Sequence, residues 1–270
     1  MLYRTEGIVI RGTDYGEGNK IVTILTPSHG KQGIVVRGAR KPKSRYSSLA
    51  QLFTYGDFAF FKSGQLGTLS SGEIIESFRE LREKLDLAAY AAYAAELCDR
   101  AVGEEDAGTF LFHQFHACLT ALAQRKDTQI VIRAFEMKIV QTAGYLPVLN
   151  ECVSCGRSDG PFRFSPAGGG ALCPSCAVRD PEALKLDEAA WKLLRLFAGL
   201  DLRRLGRIGV KEETKKQLHT AMRKWMDHHL GVKLKTRHFL DQWEKLADLP
   251  EPEPRTRGDA GHRPEADLPP

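Results

Sequence analysis

Two cysteine knuckles restrict this chain more than any other feature. Cys152-Val-Ser-Cys155 and Cys173-Pro-Ser-Cys176 flank seventeen residues, which matches the C-x2-C-x15–20-C-x2-C spacing of zinc sites. Two residues between thiols form a tight turn that aims both sulfurs at one ion, and two such turns complete a tetrahedron. The intervening PFRFSPAGGGALC is too short and glycine-rich to build its own core, so a metal has to organise it. Four thiolates close the coordination shell. The spacing therefore predicts one structural Zn2+ on Cys152, Cys155, Cys173 and Cys176, not a water-activating zinc. The competing reading is a thiol oxidoreductase working through either CxxC pair. Within the zinc reading, the module is taken as a staple rather than a surface that grips nucleic acid.

Periodicity divides the rest of the chain. Segments 7–11, 20–26, 31–38, 53–63 and 66–75 are rich in Val, Ile, Thr and Phe and are punctuated by glycines such as Gly12, Gly30 and Gly64. Five such strands suit a small closed barrel, with the OB-fold expected and an SH3-like barrel as the alternative. After Phe78, apolar residues recur at helical intervals at Leu81, Leu85, Ala88, Ala92, Ala95 and Val102. Further helices are predicted at about 107–125, 128–143, 187–199, 211–230 and 236–247, with Gly144 closing the second. The plan is thus α+β and multi-domain. An OB-fold barrel spans 1–79 and a helical bundle spans 80–249. A zinc module is inserted at 150–178 and packs on the helices. Six of the thirteen prolines fall in the last twenty-one residues, so 250–270 has little to bury and is expected to be disordered.

Net charge is only +5, but its distribution is uneven. From Gly18 to Gly56 there is no acid at all, while Lys20, Lys31, Arg37, Arg40, Lys41, Lys43 and Arg45 lie there. Residues 201–245 form a second basic region, with twelve Lys/Arg against six Asp/Glu. A positive groove beside aromatic rings is how single-stranded nucleic acid is held. Tyr46, Phe53, Tyr55, Phe58, Phe60 and Phe61 follow the basic loop, most of them as core and one or two as stacking platforms. The plain alternative is a solvated loop without a partner. A merely solubilising surface usually mixes both signs of charge, and this one does not.

Enzyme chemistry has no residues to name. The chain lacks a G-x-x-x-x-G-K-[ST] loop, an H-E-x-x-H and a G-x-S-x-G. Gly168-Gly169-Gly170 lacks the Lys-Ser/Thr of a phosphate cradle and is read as flexibility. Cys98 and Cys118 lie in helical patterns as small core residues. His113, His116 and the pair His228-His229 are read as ordinary structural or surface residues. Arg4 and Glu6 interrupt the N-terminal apolar run, so no signal peptide is expected. With no run of eighteen apolar residues, no membrane span is expected either, and the cytosol is the predicted location.

The residues EGIVIRGTDYGEGNKIVTILTPSHGK, VVRGARKPKSRYSSLAQLFTYGDF, IRAFEMKIVQTAGYLPVLNECVSCG and HHLGVKLKTRHFLDQ together resemble the RecO family of bacterial recombination mediators. The resemblance covers about residues 2–245 and keeps all four knuckle cysteines, which some relatives lack. It implies an OB-fold, a helical bundle and a zinc module. It also implies binding of single- and double-stranded DNA, annealing of complementary strands, and a cytoplasmic, nucleoid-associated location. Action with RecR, and in some pathways RecF, would load RecA onto DNA coated by single-strand-binding protein. The resemblance places the coat protein's acidic C-terminal tail on Arg133 of the R-x-F-E helix. The alternative for Arg133 is an ion pair with Glu136 on the same helix. A second class, an RNA-binding or transcription-associated OB/zinc protein, shares the composition but not these motifs.

Overall fold

The computed structural model describes residues 1–62, 64–103 and 108–247, with side chains through Glu244. The tail expected to be disordered over 250–270 lies outside the described residues. Five strands, β1 (Leu2–Tyr15), β2 (Asn19–Leu25), β3 (Lys31–Val36), β4 (Tyr55–Lys62) and β5 (Leu66–Glu76), close into a barrel in the order β1-β2-β3-β5-β4. β1 pairs antiparallel with β4, and β3 pairs parallel with β5. This is the five-stranded closure of an OB-fold, and the SH3-like alternative falls away.

The barrel interior is filled by Val9, Val22, Ile24, Ile34, Val36, Phe58 and Phe60. Within β1, Ile8-Val9-Ile10 is an unbroken apolar run because both faces of the strand are buried there. Val9 points inward, while Ile8 and Ile10 join Leu25 and Phe53 in the core of the helical body. A Cβ on Gly56 would lie 2.5 Å from Glu73 O, and one on Gly72 would lie 2.8 Å from Asp57 O. Leu49 fills the space that these two glycines leave.

The helical body begins with α1 (Glu80–Glu83), α2 (Leu85–Arg100), α3 (Thr109–Ala123) and α4 (Thr128–Thr142). Every residue of α4 from Ile130 to Val140 is buried, which makes it the central helix. Asp127 caps its start by accepting from Ile130 N, and Gly144, at φ 82°, ends it as expected. A hairpin of β6 (Arg163–Ser165) and β7 (Gly170–Leu172) and the short α5 (Pro174–Ala177) carry the cysteines. Then come α6 (Glu188–Gly199), α7 (Glu212–His229) and α8 (Lys235–Ala247). Cys98 and Cys118 are buried core residues.

The three glycines at 168–170 are not mere flexibility. Gly170 has φ 143°, and a Cβ there would sit 2.1 Å from Val148 O. Val148 lies alongside it as a parallel bridge. A Cβ on Gly168 would meet Ser165 Oγ at 2.7 Å. The hairpin thus uses glycine for close backbone approach, and Phe164 and Ala171 tie it into the helical core.

Candidate metal centre and nucleic-acid interface

Each knuckle is a local turn. Gly156 N donates to Cys152 O, with Gly156 at φ 72°, and Cys152 N donates to Arg157 O. In the second knuckle Pro174 starts α5, and the N–H groups of Cys176 and Ala177 both donate to Cys173 O. The hairpin between them brings all four sulfurs within 4.8 Å of one another. Cys155 Sγ and Cys173 Sγ are 3.8 Å apart. That is too far for a disulfide, and it matches the edge of a tetrahedron with Zn–S bonds of about 2.3 Å, which is about 3.8 Å.

The thiols also fit a cation electrostatically. Burial pushes the Cys152 thiol up, but backbone N–H groups of Cys173, Ser154 and Cys155 outweigh it and bring it down to about 6. The Arg157 N–H draws Cys155 down, yet hydrogen bonding with Cys152, Cys173 and Cys176 pushes it up to about 11. Four thiolates this close need a divalent charge among them, and Zn2+ held by all four would lock the hairpin to the two knuckles. His219, Asp241 and Glu244 form a second cluster of possible ligands. Its carboxylates already pair with Arg223 and Arg133.

The basic loop fills residues 37–54 between β3 and β4. It is pinned rather than floppy. Arg40 N donates to Gly18 O and Gly38 N to Asn19 Oδ1, which fastens the loop to the β1–β2 turn. Ala39, Leu49 and Ala50 are buried in the barrel. Lys43 and Phe53 are held at φ 62° and 69°, a backbone state that persists only when its surroundings fix it. Arg37, Arg40, Lys41, Lys43 and Arg45 are exposed. Arg45 lies over the ring of Tyr46, 4.5 Å from its centroid.

The acid-free stretch does not leave every cation unmatched in space. Arg40 Nε lies 3.3 Å from Asp14 Oδ2, because β1 carries Asp14 to the loop. Lys20 Nζ donates to Ala50 O at 3.2 Å. Lys31 Nζ donates to Asp99 O and Val102 O, both at 2.7 Å. It caps the end of α2 and ties the barrel to the helical body. Among the described residues no carboxylate pairs with Arg37, Lys41, Lys43 or Arg45.

Arg133 is buried. Its side chain is 2% exposed, and the guanidinium is divided between Glu136 at 3.0 Å and Glu244 of α8 at 3.2 Å. The pair with Glu136 lies within α4, and the pair with Glu244 ties α4 to α8. Of the aromatic residues, Phe53, Phe58 and Phe60 are buried, and Phe61 is exposed.

A cleft of about 920 Å³ lies at the other end of the barrel, between the β2–β3 turn, the β4–β5 turn and the end of α2. Its residues come from positions as distant as Arg11, His29, Lys62 and Asp99, so no local motif announces it.

These features define the class: an OB-fold barrel on a helical body, with a four-cysteine zinc-type module. The family model described as Recombination protein O N terminal matches residues 1–78, and that described as Recombination protein O C terminal matches 82–238. The DNA repair protein RecO of Halalkalibacterium halodurans is 44% identical over 246 residues, covering 91% of this chain and 97% of the relative. That of Bacillus subtilis is 44% identical over 249 residues, covering 92% and 98%. That of Listeria monocytogenes is 42% identical over 246 residues, covering 90% and 96%. The chain belongs to the RecO family of DNA repair proteins. No helix among the described residues is long and apolar enough to cross a membrane.

Proposed function

We propose that this chain is a non-enzymatic repair mediator. It binds single- and double-stranded DNA, anneals complementary strands and helps load RecA onto DNA coated by single-strand-binding protein. One observation supports this most directly. The pinned loop at 37–54 holds Arg37, Lys41, Lys43 and Arg45 at the surface with no carboxylate partner among the described residues. A cationic loop already fixed in shape loses little freedom on meeting phosphate. Phosphate contacts position a strand without reading its bases.

Annealing needs no catalytic group. Cations lower the repulsion between two strands, and base pairing supplies the free energy. Lys20, Lys31 and Arg40 are secondary contacts in this reading, because each already has a partner. Family membership supports the repair role. The partners RecR, RecF, RecA and the coat protein's acidic tail follow from the resemblance, as does the cytoplasmic, nucleoid-associated location. The tail is assigned to the helical body at Arg133, whose pairs with Glu136 and Glu244 it would have to open. An RNA-binding or transcription-associated protein would share the loop but not the family match.

The test is the salt dependence of oligonucleotide binding. Changing Arg37, Lys41, Lys43 and Arg45 together to Ala should flatten the slope of log K against log salt by up to about 3, at roughly 0.7 per phosphate on single strands. Annealing of strands coated by the cognate single-strand-binding protein should slow as well. An unchanged slope with unchanged annealing rejects the reading.

A further inference from the structure

The basic loop occupies only one end of the barrel. In the β2–β3 ladder Lys20 pairs with Val36 at that end, and Leu25 pairs with Lys31 at the other. Five residue steps separate the two levels, about 17 Å at roughly 3.4 Å each. The cleft lies at the far end. Arg11, Lys31, Lys62 and His29 line it, and Asp99 is the one acid among its lining residues.

Each group in the cleft has a distinct position. Arg11 touches Asp99 at 3.1 Å, yet its side chain remains 57% exposed. Lys62 Nζ donates to Gln32 Oε1 at 2.7 Å. Lys31 is engaged by the backbone of α2 and contributes charge to the wall rather than a contact. The cleft continues past Lys62 and Gly64 to Tyr3. The Tyr3 ring stacks on buried Phe60, with centroids 5.6 Å apart, and meets exposed His29 edge-on at 5.9 Å.

Cations along a wall, two rings at a mouth and the amides of Gln32 and Gln65 form a combination with a recognisable use. Single strands are held by charge on their phosphates and by rings under their bases. A small anion would need the charge but not the rings. We propose that this cleft is a second single-strand site, so that one chain holds two strands at opposite ends of its barrel. The inference rests on the DNA-binding reading above and adds the second strand. One molecule then carries both partners of an annealing event.

The test is a stoichiometric titration of the full chain with a fluorescent oligonucleotide of about ten nucleotides, within the site size of one OB-fold. Wild type should bind two per chain. Lys62→Glu combined with His29→Ala should bind one, with unchanged circular dichroism and Tm, and should anneal complementary strands at least tenfold more slowly. The loop variant should also bind one, and the combined variant none. A wild type that binds one oligonucleotide, lost in the loop variant and kept in the Lys62/His29 variant, overturns the second site and leaves the first standing. A wild type that binds none overturns both.

Discussion

Arg133 and Glu244 stand 111 positions apart in the chain and 3.2 Å apart in the fold. Glu136 takes the other side of the guanidinium at 3.0 Å, and the Tyr93 hydroxyl donates to the same carboxylate at 2.7 Å. Burial lowers the Arg133 pKa, but Glu136 and Glu244 more than reverse this and leave it raised. Removing one partner of such a group leaves a charge buried without its counterion, at a cost of about 3–5 kcal/mol. Arg133→Met should therefore lower the urea midpoint strongly. Replacing Arg133, Glu136 and Glu244 together with apolar residues should restore most of the loss. A surface role for Arg133 would instead leave the midpoint of the single variant unchanged.

Metal removal should act on a defined region. Structural zinc contributes on the order of 10 kcal/mol in small isolated modules. Here Phe164 and Ala171 anchor the hairpin in the helical core, so the loss should be smaller than in a free-standing finger. Cys155→Ser should abolish the one zinc per chain seen by elemental analysis and speed hydrogen exchange across residues 150–178. Full metal content in that variant would refute the site.

Gly170 offers a backbone test of the same module. Its φ of 143° and the 2.1 Å approach of Val148 O leave no room for a methyl group. Gly170→Ala should cost about 3 kcal/mol or more, from strain together with the lost bridge to Val148. Gly199→Ala is the control, because a Cβ there meets nothing within 4 Å. It lies at the end of α6, where the change should be neutral or stabilise by up to about 1 kcal/mol. Thermal unfolding of the two variants distinguishes them, and equal Tm values would mean that the hairpin tolerates a different path.

His219 should make stability depend on pH. Burial, then the charges of Arg133 and Arg223, depress it to about 4, against the opposing pull of Asp241. Glu244 also faces it, at 3.7 Å. The folded state therefore holds it neutral, while the unfolded chain protonates it near 6.5. Its contribution is fully present above about pH 6.5 and is lost as pH falls toward 4. His219→Gln should give a flatter stability curve than wild type across that window. Parallel curves for the two proteins would count against the assignment.

Local features were legible in the sequence, and long-range ones were not. The helix expected at 128–143 spans Thr128–Thr142, because its cap and its glycine stop lie within a few residues of its ends. The zinc knuckles are also legible, since two-residue turns aim their own sulfurs. β1 runs from Leu2 to Tyr15, well beyond the expected 7–11. Its ends are mostly exposed and so lack an apolar signal. Arg40 and Asp14 meet only because the β1–β2 hairpin folds back. The i,i+3 pair of Arg133 with Glu136 was visible, but its burial under α8 was not. The glycines at 168–170 read as slack because Val148, the residue that bridges to Gly170, lies 22 positions earlier.

Ile8, Ile10, Leu25 and Phe53 belong to the barrel by position and to the helical core by packing. Synthesis runs in one direction, so the barrel, complete at Glu76, leaves the ribosome before the helices that cover these four residues. The 47 residues from 77 to the end of α3 at Ala123 take about 2–9 s to add at roughly 5–20 residues per second. Throughout that interval the newborn barrel shows water a greasy seam that the mature molecule never displays. A nascent-chain chaperone would find its foothold there, and a stalled ribosome would leave behind a fragment that sticks to its neighbours.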